Sequence, residues 1–190
     1  MSTLITTTIQ TGTIKGADGT NTAMTINSGG VITEPNRPCF HVTKSADQTI
    51  SDATETLVTF DTHVDGGNSK RQINVGGGYA SNKFTVTAQT KGIYFFYLNL
   101  CFNTSDVYYD AYCYWRKNGS DTIQLVQAVG PAASGVKNGT FHNNCLINLD
   151  TSGDYIELFA YADVASGGTL TLNQSALTQP RTEMGGFKVS

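Results

Sequence analysis

The chain reads as an all-β sandwich on three grounds. From Cys39 onward, short apolar or alternating runs are separated by clusters of Gly, Asn, Asp and Ser, and no segment carries a convincing helical period. Charged residues are only 14% of the 190 positions and Gly numbers 20, a balance that favours turns and Thr-rich strand surfaces over a helical bundle. The third ground is the stretch Lys83–Phe102, KFTVTAQTKGIYFFYLNLCF. After the break at Gly92, one strand face carries Tyr94, Phe96, Leu98, Leu100 and Phe102, and the other carries Ile93, Phe95, Tyr97, Asn99 and Cys101. A strand on an ordinary sheet buries one face and wets the other. Here both faces want cover, so one enters a sandwich core and the other needs a partner, for which a second copy of the chain is a good candidate. The unbroken set from Tyr94 to Phe102 is the better core face, leaving Phe95 and Tyr97 for a subunit interface.

Residues 1–35 form an extended attachment or assembly segment, and residues 36–190 the folded domain. The first part contains no aromatic residue up to about Thr33, is rich in Thr and Gly, and has too few apolar positions to fold alone. Short β-like pieces such as Thr22–Asn27, ended by Ser28-Gly29-Gly30, favour ordering by assembly over a disordered leader. Glu34-Pro35-Asn36-Arg37-Pro38 then reads as a stiff hinge.

The domain's strands follow in order. Cys39–Thr43 and the alternating Thr56–Asp61 come first, then a turn region at His63–Ser69. Tyr79 and Lys83–Ala88 make the next strand, and Ile93–Asn103 and Val107–Lys117 are long and aromatic. Asn118-Gly119 is a strong hairpin signal, with Thr122–Gln127 returning after it. Thr140–Leu149, the turn Asp150–Gly153, Tyr155–Ala162, Thr169–Asn173 and Gly186–Val189 complete about ten strands.

An ordered series of residues runs through these strands: Phe40, Phe60 in TLVTFD, Tyr79 and Phe84 in GYASNKFTV, Gly92, Tyr94 and Phe96 in GIYFF, Asn118-Gly119 after a Lys, Gly153-Asp154 before YIEL, and Gly186-Phe187. In this order and spacing it resembles the globular head of the C1q/TNF-like superfamily over about residues 39–190. Two departures are Thr85-Val86 in place of a Thr-Ala-Pro-like run and a final FKV that is not fully apolar. The resemblance implies a ten-stranded jelly roll forming a tight homotrimer, with one aromatic face at the three-fold axis, and a membership of ligand and adhesion modules. The resulting candidate interface residues are Phe95, Tyr97, Tyr112 and Tyr114. A second resemblance, of style rather than motif, covers IKGADGTNTAMTINSGGVI, which looks like the lead-in of structural proteins from tailed bacteriophages. It implies attachment of residues 1–35 to other virion proteins and assembly in a host cytoplasm.

Candidates for chemistry are few. His41, His63 and His142 are scattered without i, i+2 or i, i+4 partners, so interface or polar roles are preferred to metal binding. Asp150, Asp154 and Asp163 are the calcium candidates, but Asp also favours turns by bonding its own backbone. No cofactor and no enzymatic activity are expected, since no G-x-S-x-G elbow or P-loop is present. Cys39, Cys101, Cys113 and Cys145 form no C-x-x-C pair and are read as free thiols. The Asn-x-Ser/Thr sites at Asn103, Asn118, Asn138 and Asn173 are about as many as composition gives by chance. A formal charge of −3 argues against nucleic acid, and no apolar run is long enough to span a bilayer. Tyr108 and Tyr109, beside the loop Asn103–Asp106, are the candidates for stacking on a host surface glycan or protein. The expectation is a non-enzymatic virion protein whose trimeric head projects as a fibre tip or appendage. The alternatives are a capsid decoration protein and a secreted C1q-like binding module, the latter disfavoured by the lack of a secretory signal at MSTLITTTIQTG.

Overall fold

In a computed structural model, the described residues are 12–15, 22–34, 36–61, 73–128, 138–173 and 182–190. The predicted turn at His63–Ser69 lies outside them. The chain divides into two compact units, Met1–Arg37 and Pro38–Ser190.

The first unit holds three antiparallel strands in the order β1 (Gly12–Lys15), β2 (Thr22–Ile26) and β3 (Ile32–Thr33). Asn27 turns the chain between β2 and β3: its side-chain oxygen accepts from the N–H groups of Gly29 and Val31, both at 2.9 Å. Gly30 follows with a φ of +76°, the left-handed conformation such a turn needs. None of the described residues of this unit is buried, and Ile14, Val31 and Ile32 stand exposed.

The second unit is two packed sheets. Its strands are β4 (Cys39–Thr43), β5 (Gln48–Ser51), β6 (Thr56–Leu57), β7 (Ile73–Val75), β8 (Tyr79–Ala80), β9 (Lys83–Thr85), β10 (Gly92–Thr104), β11 (Tyr108–Lys117), β12 (Asp121–Ala128), β13 (Asn138–Leu149), β14 (Tyr155–Val164), β15 (Thr169–Leu172) and β16 (Thr182–Lys188). The wide sheet runs β7-β4-β16-β10, with β13 on the far side of β10; β15 pairs with the end of β10 and carries β5. The narrow sheet runs β12-β11-β14-β9-β8, with β6 beside β14. This is a jelly-roll sandwich in which neighbours in each sheet come from distant parts of the chain.

The core lies where the inward faces meet. Tyr94, Phe96, Leu98, Leu100 and Phe102 are all buried, as the period-2 pattern of β10 requires. Phe96 packs against Trp115 of the opposite sheet with ring centroids 5.4 Å apart. Phe40 stacks on Phe84 at 4.8 Å and on Tyr79 at 5.2 Å, so the aromatics of the ordered series meet in one place. Such offset pairs add about 0.5–1.5 kcal/mol beyond the area they bury.

Local chemistry fixes the turns. Asn118 and Gly119 have φ of +53° and +77°, and Ser120 N–H donates to the Lys117 carbonyl at 3.2 Å, closing the β11–β12 hairpin. Gly92 is not a break but the first residue of β10, with a φ of +149°. A side chain there would run into the Ser190 carbonyl, which accepts from Ile93 N–H at 3.0 Å. Three further readings differ from the structure. Gln48–Ser51 and Ile73–Val75 are strands too short to stand out by pattern, and only Thr56–Leu57 of the segment to Asp61 pairs in a ladder. The last strand begins at Thr182, four residues before the predicted Gly186.

Candidate functional site

The face of the wide sheet turned away from the core carries an apolar patch around Phe95, among polar residues such as Asn99, Asn144 and His142. It is built by strand parity: Ile93, Phe95 and Tyr97 alternate with the buried residues of β10. Their cross-strand neighbours share the face. Phe95 lies opposite Leu146 of β13 and Phe187 of β16, and the two phenylalanine rings approach to 5.4 Å. Leu146 is 63% exposed and Phe187 44%, and Ile93, two residues before Phe95 on the same face, is exposed as well. Exposed apolar side chains gathered on one side of a sheet are the usual feature of an interaction surface.

A polar group sits inside this apolar face. The Tyr97 hydroxyl is 2.7 Å from His41 Nδ1, and His41 Nε2 is 3.7 Å from Glu183 Oε2. Burial raises the Tyr97 pKa, and the charge of Glu183 and then Cys39 raise it further. The phenol therefore stays protonated, and the His41 tautomer sets which of the two groups donates. Gly185 makes room for it: a Cβ there would collide with the Tyr97 ring and hydroxyl and would lie 2.8 Å from the Phe40 carbonyl oxygen.

The four residues read as interface candidates do not share one surface. Phe95 and Tyr97 are together on the wide sheet. Tyr112 and Tyr114 lie on the outer side of β11 in the narrow sheet, where Tyr112 stacks on Tyr161 at 4.6 Å; Tyr114 stacks on Phe159 at 5.8 Å and, under Arg116, is only 2% exposed. The thickness of the sandwich, about 10 Å between sheets, separates the two faces. Aromatic content in the sequence does not reveal which sheet a strand joins, and that is why the four were grouped.

The two tyrosines read as host contacts also part. Tyr109 is 51% exposed. Tyr108 is a correction: it is 5% exposed and packs edge-on against Phe102 at 5.7 Å. A register shift between Tyr108 and Asp110 turns Tyr108 inward at the end of β11.

The calcium candidates stand in three different settings. The Asp154 carboxylate accepts from Asn118 Nδ2 at 2.9 Å and from Thr151 N–H at 3.2 Å, and Lys117 Nζ lies 2.9 Å away. Burial alone would raise its pKa, but the hydrogen bonds from Asn118, Lys117 and Thr151 and the charge of Lys117 hold it below its ordinary value of 3.8. This carboxylate clamps the Asn118-Gly119 hairpin to the loop before β14. Asp150 bonds Asn148 and Thr151 at the surface, and Asp163 lies on the outer face of β14 opposite Asp110. Among the described residues no group of three or more His, Cys, Asp or Glu side chains is placed to hold a metal ion. His142 is exposed on β13 opposite Asn99, and His63 lies outside the described residues.

All four cysteines are unpaired. Cys113 is buried, which pushes its thiol far up, and burial raises Cys145 to about 11, so both are protonated at neutral pH. Among the described residues no helix is long and apolar enough to cross a membrane.

No protein-family model matches the chain, and no curated protein matches it either. Solved structures do. Murine APRIL at pH 5.0 is 18% identical with a TM-score of 0.54, and the alignment covers 80% of this chain and 99% of that one. Eiger TNF from S. frugiperda is 14% identical with a TM-score of 0.52, covering 81% of this chain and 94% of that one. The likeness extends across nearly the whole of each solved chain and about four fifths of this one. What it shows is the fold: a jelly roll of the kind seen in those two solved structures.

Proposed function

We propose that the chain is a non-enzymatic binding protein whose C1q/TNF-like unit assembles as a homotrimer through the outer face of its wide sheet. The observation that carries this reading is the apolar patch of Ile93, Phe95, Leu146 and Phe187, which a monomer would leave in water. Closed three-fold assembly hides it, with His41, Tyr97 and Glu183 as polar groups inside the contact. Tyr112 and Tyr114 fall outside this interface. Sedimentation at micromolar concentration should give the mass of three 20.3-kDa chains. The double change Leu146→Glu with Phe187→Glu should give a folded monomer, because both positions are exposed in the subunit. A wild-type chain that sediments as a monomer overturns the reading.

The finer reading is that this head belongs to a tailed-bacteriophage particle, as a fibre tip or appendage that contacts the host surface. The Thr/Gly-rich lead-in supports it, as do Ile14, Val31 and Ile32, which the first unit leaves exposed for a larger assembly to cover. Residues 1–35 then attach to other virion proteins, and Tyr109 is the host-contact candidate that stays at the surface. Antibody labelling of intact particles should decorate a projecting structure, and the purified chain should bind host cells. Binding to emptied capsids instead, with no binding to cells, would favour a decoration protein.

A further inference from the structure

The three-stranded sheet of the first unit is amphipathic. Its register places Ile14 opposite Met24, and Ile26 opposite both Gly12 and Ile32. Side chains alternate between the two faces of a strand. Gly12, Ile14, Met24, Ile26 and Ile32 therefore share one face, and Thr13, Thr25 and Thr33 form a ladder on the other. The apolar face carries no charged residue. Ile14 and Ile32 are exposed on it, and Met24 and Ile26 are only half-buried. A sheet this small depends on burial of such a face for its stability in water.

The edges of the sheet are poor places for a partner strand. β1 is an edge strand whose ladder is broken by a register shift between Ile14 and Lys15. A bulge with a lysine beside it discourages edge-to-edge pairing. β3, the other edge, pairs through two residues only. Association is therefore directed through the apolar face.

The point where the chain enters the second unit selects the occupant. Leu146, Phe95, Phe187 and Cys39 lie in one cross-strand row of the wide sheet. Cys39 thus stands in the row that carries the apolar patch, two residues after the first unit ends at Arg37. Residues 34–38 join β3 to β4, a reach of about 20 Å when fully extended. Contacts shorten it: Asn36 Nδ2 donates to the Thr22 carbonyl at 3.2 Å, and Arg37 pairs with Glu34 at 3.4 Å. Chains that meet through the patch therefore hold their first units at an effective concentration on the order of millimolar. Identical uncharged faces tethered in this way meet one another ahead of any partner in free solution.

We propose that the face formed by Ile14, Met24, Ile26 and Ile32 is a second contact between copies of this chain, in which three first-unit sheets pack apolar face to apolar face and turn their threonine ladders outward. The inference rests on the proposed trimer of the second unit. The larger assembly that covers Ile14 and Ile32 is then the trimer itself, and Val31, in the turn before β3, remains at the surface.

Photo-cross-linking of the full chain tests this by strand parity. Benzoylphenylalanine is placed at Ile32 or at its neighbour Thr33, and in a second pair at Ile14 or Thr13; all four positions are exposed in the subunit. Irradiation should convert the chains labelled at Ile14 and Ile32 into covalent dimers and trimers on a denaturing gel, with a yield at least about fivefold above that from the threonine positions, which point the other way. The Ile14 and Thr13 pair keeps the test decisive if the bulky group at residue 32 disturbs β3. Sedimentation of the same samples separates this contact from the reading it rests on. A monomeric wild-type chain overturns the proposed trimer and this contact with it. A trimeric chain whose cross-links stay within single chains, or form equally from both faces, leaves the trimer standing and overturns the contact alone.

Discussion

Neighbouring residues of the same type do opposite work in this chain, and Tyr108 and Tyr109 are the clearest pair. Tyr108 fills the core against Phe102, whereas Tyr109 faces solvent. Tyr108→Ala should cost about 3–5 kcal/mol in chemical denaturation, the usual loss for a large buried aromatic ring, whereas Tyr109→Ala should stay within about 0.5 kcal/mol. Equal losses would mean the inward turn at the register shift is wrong. Asp154 makes a second prediction, with pH as the variable. Its folded pKa lies below 3.8, so its carboxylate stabilises the fold above that value. The contribution fades as pH falls through the lower, folded pKa. Asp154→Ala strands Asn118 and Lys117 near the hairpin and should cost about 1–3 kcal/mol at neutral pH. The gap between wild type and variant should close in acid, read by urea unfolding across a pH series; a gap that is constant from neutral to acid would exclude the ionised clamp.

At the scale of the element, β10 was the most legible strand and β11 the least. The two apolar faces of β10 could be counted in the sequence, and its even-numbered set is buried throughout. A period of two assigns side chains to faces without further information. It does not say which sheet a strand joins, because pairing is set by contacts far apart in the chain. For that reason parity puts Phe95 and Tyr97 on one outer face, whereas Tyr112 and Tyr114, expected beside them, lie with β11 in the other sheet. The strands β5 and β7 escaped notice because three or four residues give too short a pattern. Gly185 carried a signal that parity alone does not supply. It lies opposite Tyr97 on one side and His41 on the other, where only a missing side chain admits the phenol. Gly185→Ala must move Tyr97 or the Phe40 carbonyl and should cost about 1–3 kcal/mol, with weaker subunit association in sedimentation. Unchanged stability and mass would show that Tyr97 can leave the face freely.

For the whole molecule, the ordered aromatic series led to the architecture because its members meet in space: Phe40, Tyr79, Phe84, Tyr94 and Phe96 touch as one cluster. The first unit carries no such marker: up to about Thr33 its sequence has no aromatic residue. The second unit contains every buried hydrophobic residue found among the described residues, from Phe40 to Met184. Removing residues 1–37 should therefore leave its thermal midpoint and the number of chains per assembly unchanged. A lower midpoint would show that the first unit supports the second.

The place of β16 has a bearing on how the molecule is made. This strand sits between β4 and β10, giving one edge to each. Residues 39–43 and 92–104 are synthesised long before residues 182–188, yet they have no ladder of their own to share. Until the late strand arrives, the wide sheet is two separate pieces with open edges, each able to recruit a stray strand from a neighbouring chain. The apolar outer patch is likewise unfinished, since Phe187 arrives with that strand. Closure of the sheet thus acts as a timer: the chain gains its complete apolar outer patch only at the moment it completes its own fold.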